Sequence, residues 1–184
     1  MWTITKTIMK QILTFILLTF LCLPSQAQEK IYTVDNIPKV HLQNKLRYVC
    51  NPADILSQAA CDSIDRMLYN LEEKTGIETV VAVVPSIGQE DCFDFAHQLL
   101  NQWGVGKKGK NNGLVILLVT DQRCIQFYTG YGLEGDLPDA ICKRIQTKNM
   151  IPFLKTGNWD AGMVSGIRAV CQRLDGSMVN DAAN

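Results

Sequence analysis

Two apolar runs set the terms for this chain. Ile77 to Val84 reads IETVVAVV and Leu114 to Thr120 reads LVILLVT. Both are too short for buried helices and too uniformly apolar for half-exposed strands, so both are strands covered on two faces. Between them Asp91 offers a helix cap, and Phe95, Leu99 and Trp103 recur on one helical face. A strand, a helix and a second strand make a parallel pair with a right-handed crossover. After the second run, Asp121, Gln122 and Arg123 form a short turn, and Cys124 to Thr129 returns as an antiparallel strand.

The flanking segments complete the architecture. Ser57 caps a helix in which Ile64, Met67, Leu68 and Leu71 share a face and Gly76 ends it. Pro138 starts another helix through Ala140, Ile141 and Ile145, which Pro152 is expected to interrupt. A last helix begins near Trp159, with Met163, Ile167, Val170 and Leu174 inward. The expected fold is α/β, a three-layer α/β/α sandwich on a small mixed sheet.

The ends read differently. Lys6 and Lys10 precede an apolar run from Ile12 to Leu23, and Ser25, Gln26 and Ala27 follow a proline. This is the layout of a secretory signal peptide over residues 1–27, and the run is short for a membrane span. Residues 28–48 read as a lead-in, 49–174 as the folded domain and 175–184 as a flexible tail. Cleavage removes two lysines and no acid, so the zero net charge of the 184 residues becomes slightly negative. The expected product is an exported monomer, periplasmic or secreted, without a membrane span. A balanced charge gives no general basis for nucleic-acid binding.

Six cysteines remain after cleavage: Cys50, Cys61, Cys92, Cys124, Cys142 and Cys171. In an exported chain they either pair or serve as small buried apolar groups, and their irregular spacing selects no pair. Only His41 and His97 are available as histidine ligands, and neither neighbours a cysteine pair, which argues against zinc.

Chemistry concentrates in two glycine-rich loops. Residues 104–113 carry Lys107, Lys108, Lys110, Asn111 and Asn112, and residues 130–139 carry Glu134, Asp136 and Asp139. The strand order puts both loops at one edge of the sheet. Carboxylates and amide oxygens suit Ca2+ or Mg2+, and lysine suits an anion. The plainer account gives the glycines to turns, the acids to helix capping and the lysines to solvent. A second, weaker cluster is expected at the opposite edge, where Asn51 and Asp54 approach Asp121. Gly104 to Asn111 nearly matches a phosphate loop, but Asn111 lacks the required hydroxyl and the loop opens a strand rather than a helix. No cysteine phosphatase, Arg-His-Gly, D-x-D-x-[TV] or G-x-S-x-G pattern occurs. Any hydrolysis would run through metal-activated water.

Four segments resemble one known family: Val49 to Ser57 (VCNPADILS), Trp103 to Leu118 (WGVGKKGKNNGLVILL), Gly130 to Asp139 (GYGLEGDLPD) and Pro152 to Gly162 (PFLKTGNWDAG). They are similar to the TPM domain family, also described as thylakoid-lumen phosphatase-like. The resemblance implies an α/β/α sandwich facing the outside of a membrane, with phosphatase activity and divalent-metal binding attributed to some members and maintenance of membrane complexes to others. Asn51 and Asn111 stand where members often carry an acid, which implies a weaker metal site here. Two functions follow as expectations. One is a metal-assisted, phosphatase-like hydrolase using Asp136, Asp139 and Lys110, with Glu134, Asp136, Asp139, Asn111 and Asp121 as metal groups. The other is a non-catalytic envelope module that binds a protein partner or a divalent metal. Passive calcium binding for stability is compatible with both.

Overall fold

The computed structural model describes residues 30–177. The signal segment 1–27 and residues 178–184 of the expected tail lie outside the described residues. The described chain forms a four-stranded sheet between two helical layers. Its strands are β1 (Val49–Cys50), β2 (Glu78–Val84), β3 (Gly113–Val119) and β4 (Cys124–Thr129), in that spatial order. β1, β2 and β3 are parallel, and β4 returns antiparallel to β3.

Alternation along the buried strands divides the core in two. Val81, Val83, Leu114, Ile116 and Leu118 face α2 (Gln58–Thr75) and α6 (Trp159–Leu174). Val80, Ala82, Val115, Leu117 and Val119 face α3 (Cys92–Trp103), which contributes Phe95, Leu99 and Trp103. Every residue of β3 is buried. Caps stand where short polar side chains precede the apolar periods. The Ser57 hydroxyl accepts from the Ala60 N–H, Asp91 accepts from Phe93 and Asp94, and Asn158 accepts from Ala161. Gly76 closes α2 in the left-handed region at φ 72°.

Three features depart from the sequence reading. The lead-in is part of the core: the Tyr32 N–H donates to the Ser86 carbonyl at 2.9 Å, and Tyr32, Val34 and Ile37 are buried beside α3. A short helix, α1 (Val40–Gln43), follows. β1 is a fourth strand, and its two residues are too few for any alternation to register. Its place is held by Asp65 of α2, a buried carboxylate that accepts the N–H groups of Tyr48 at 2.8 Å and Val49 at 3.0 Å and meets Arg47 at 3.2 Å.

Pro152 does not interrupt the helical path. The path runs through α4 (Asp139–Ile145), a wide π turn (Gln146–Met150) and α5 (Ile151–Leu154), with Pro152 in the first turn of α5. Proline lacks an N–H and crowds the carbonyl four residues back. The π turn changes the bonding register just before it, so the missing donor is not needed.

Cys92 at the start of α3 and Cys124 at the start of β4 form a disulfide, with Cα atoms 6.7 Å apart. Cys50, Cys61 and Cys142 are buried free thiols, and Cys171 is partly buried. Both accounts of the cysteines therefore hold, for different residues. The bridge spans a sequence separation of 32. Closing such a loop in the unfolded chain predicts that the double variant Cys92→Ser with Cys124→Ser loses about 4 kcal/mol. Urea unfolding of oxidised wild type against the variant measures the difference.

Candidate functional site

The two glycine-rich loops meet, backbone against backbone. The Gly130 N–H donates to the Gly113 carbonyl and the Gly132 N–H to the Asn111 carbonyl, both at 2.9 Å. A Cβ on Gly113 would fall on the Val105 carbonyl oxygen, and one on Gly132 on the Lys110 carbonyl oxygen. Gly113 is therefore required by the fold of the first loop on itself, and Gly132, with Gly130 against the Asn111 carbonyl, by the packing of the second loop on the first. The buried Asn112 holds the first loop in shape: its amide oxygen accepts from the Lys107 N–H at 2.9 Å and its amide nitrogen donates to the Gly76 carbonyl at 2.8 Å. Glu78 of β2 accepts the Gly106 N–H at 2.9 Å.

Beside this junction lies a cavity of about 460 Å³. Glu134, at the end of the 3-10 turn Tyr131–Leu133, and Asp139, the first residue of α4, both line it. Lys143, one helical turn beyond Asp139, shares the wall with Cys142 and Gln146. The opposite wall is Gln126 to Thr129 of β4 with Phe93 of α3. Tyr128 is clasped by aromatic rings, Phe93 at 5.1 Å and His97 at 5.0 Å between centroids.

The remaining expected site residues lie elsewhere. Asp136 precedes α4, outside the cavity lining, and its carbonyl accepts from Arg173 Nε at 2.7 Å. Lys110 is exposed in the first loop and does not line the cavity. Asn111 is exposed with φ 49°, and its carbonyl serves the loop junction. Asp121 is at the other end of β3, where its carboxylate accepts from the Gln122 N–H at 2.6 Å. Asn51 directly follows β1, two strands away from Asp121, with β2 between them. Among the described residues, no three His, Cys, Asp or Glu side chains gather to hold a metal ion. Glu134 and Asp139 are the two carboxylates that share the cavity lining.

A TPM domain family model matches residues 49–173, which spans both loops and the cavity. The chain belongs to the TPM domain family. The N-terminal domain of a protein from P. gingivalis, solved by NMR, is 41% identical, with a TM-score of 0.75 over 81% of this chain and 95% of that one. A protein of the psychrophilic bacterium Bizionia argentinensis is 19% identical, with a TM-score of 0.58 over 68% of this chain and 86% of that one, and shares the fold. Chloroplastic UPF0603 proteins of Oryza sativa, from subspecies indica and japonica, are 22% identical over 130 residues. The match covers 70% of this chain but 44% of those proteins.

Within this TPM domain most of the cavity lining escaped the sequence reading. Phe93, Gln126, Tyr128, Lys143 and Gln146 come from α3, β4, α4 and the π turn, and none belongs to a polar loop. The available signal was the weaker apolar character of Cys124 to Thr129, which marks β4 as an edge strand. Burial, aided by the Asp139 charge, pushes Cys142 from 9.0 up to about 11, so it stays protonated near neutrality. Burial pushes Cys50 and Cys171 up to about 12.

Two outcomes are expected of the TPM domain. Above pH 9.0 unfolded thiols ionise while the folded Cys142 remains protonated to about 11. The unfolded state then binds fewer protons, so stability falls as pH rises through that window. Urea midpoints measured from pH 9 upward should decline, and less steeply in Cys142→Ala. Separately, Gly132→Ala drives a methyl group into the Lys110 carbonyl and should cost about 1–3 kcal/mol. Thermal unfolding reads the loss, and amide shifts at Asn111 and Glu134 report the displaced junction.

Proposed function

We propose that this TPM domain is a non-catalytic binding module of the cell envelope, exported by residues 1–27, and that the cleft between β4 and α4 holds a segment of a protein partner. The observation that carries this reading is the cleft's composition. Two carboxylates, one lysine, two glutamines and an exposed phenylalanine line one open groove. Such a mixture of charge, amide and aromatic surface suits recognition. The disulfide agrees with export, since such bonds persist in oxidising compartments. Asp136 and Lys110, two of the three groups expected to carry hydrolysis, stand outside the groove, and Cys142 is held as a thiol.

A second reading rests on Glu134 and Asp139 facing one cavity. Those two carboxylates with Gln146 would hold Ca2+ or Mg2+, and the bound cation would offer a positive centre for an anionic group of the partner. The phosphatase-like reading of the family needs more than this pair.

The expected outcome is background phosphate release from a generic phosphoester, with and without Mg2+ or Ca2+. A photo-cross-linker at Gln126 should trap an envelope protein that the same group at Tyr69, on α2, does not. The trapping should weaken in Glu134→Gln with Asp139→Asn. Metal-dependent turnover lost in that double variant would overturn the binding-module reading in favour of hydrolysis.

A further inference from the structure

The groove runs along the free edge of the sheet. β4 is the last strand, and among the described residues no strand pairs with its outer side. The register shows which backbone groups that side presents. Gly130 donates to Gly113, and Tyr128 and Gln126 stand opposite Val115 and Leu117, in step with that bond. Residues 126 and 128 therefore turn their N–H and C=O groups inward to β3, while Ile125, Phe127 and Thr129 turn theirs outward. The Phe127 carbonyl is already engaged on that outer side, by the Gln126 side-chain amide at 2.8 Å. Four consecutive β4 residues, Gln126 to Thr129, line the groove, so it follows the strand rather than crossing it.

We infer that an extended segment of the partner docks in this groove as a fifth strand, paired with the outer edge of β4, and that the segment alternates apolar with basic residues. The inference rests on the binding-module reading and adds the mode and chemistry of recognition. An added strand would lie about 4.8 Å from β4, and its successive side chains would point to opposite faces of the sheet. On one face they would meet Phe93, which is 51% exposed, and the ring of Tyr128. On the other they would meet Glu134 and Asp139, whose two negative charges exceed the single positive charge of Lys143. One face therefore selects apolar side chains and the other selects lysine or arginine. The Gln126 amide is a replaceable guard on the edge: a docking N–H takes its place at the Phe127 carbonyl.

The test uses the full chain labelled with 15N and pools of short acetylated peptides that alternate lysine with valine or tyrosine. A parallel set carries N-methyl groups on alternate amides, which keeps the side chains and removes the strand-pairing donors. Strand addition predicts shifts and slowed hydrogen exchange at the amides of Ile125, Phe127 and Thr129. It predicts binding about tenfold weaker for the N-methylated peptides and weaker binding by Glu134→Gln with Asp139→Asn. Equal binding of the two sets, with the charge variant still weakened, overturns strand addition and leaves the binding module standing. Failure of every pool to perturb β4 overturns strand addition too. If the cross-linker at Gln126 also traps no protein, the binding-module reading falls with it.

Discussion

The pairing of β2 with β3 is the constraint on which the rest of this domain depends. Seven residues of each strand are in register from Glu78 with Gly113 to Val84 with Val119, and nearly all are buried on both faces. Two such strands cannot face water on either side, so helices must cover both. The same pairing leaves the partly exposed roles to the outer strands. β1 has two residues and depends on the Asp65 carboxylate of α2, while β4 is mostly half-exposed. Chemistry is thus displaced from the middle of the sheet to its edges and ends.

The glycine loops show how that displacement is made exact in space. A loop that follows α3 and a loop that follows β4 must both leave the sheet at the end where β3 begins. They pass so closely that carbonyl oxygens of one occupy the room a Cβ of the other would need. This contact aims the 3-10 turn and α4, and so places Glu134 and Asp139 across from β4. The glycines act on the site at one remove, by fixing where the acids stand.

Long-range order was readable wherever a local pattern carried it. The runs Ile77 to Val84 and Leu114 to Thr120, with a capped helix between them, imply the parallel pair, and the turn at Asp121 implies the antiparallel return. The meeting of the loops followed from that order. What stayed hidden depends on contacts between distant residues. β1 is defined by Tyr48, Val49 and Asp65 together, and the helical passage through Pro152 by a π turn with no sequence signature. The candidate groove mixes Phe93, Gln126 and Lys143 from three elements. Acidity alone pointed to Glu134 and Asp139 but could not separate them from Asp136, because only the course of the chain into α4 brings those two to one cavity and leaves Asp136 outside it.

Asn51 shows how far a residue's meaning depends on its surroundings. Read against the family resemblance, an amide in place of an acid subtracts a metal ligand. In the fold, that amide oxygen accepts the N–H groups of Ile55 at 3.0 Å and Leu56 at 3.2 Å, while its nitrogen donates to the Leu56 carbonyl at 2.8 Å. An ionised carboxylate could accept both but donate to nothing. The Leu56 carbonyl would then face a like-signed oxygen at hydrogen-bonding distance. Leu56 is buried, so that repulsion would fall in the turn that leads into α2, the helix that also carries Asp65. The amide therefore joins the end of β1 to the start of the helix that anchors β1, and an amide at this position has a structural reason independent of any metal.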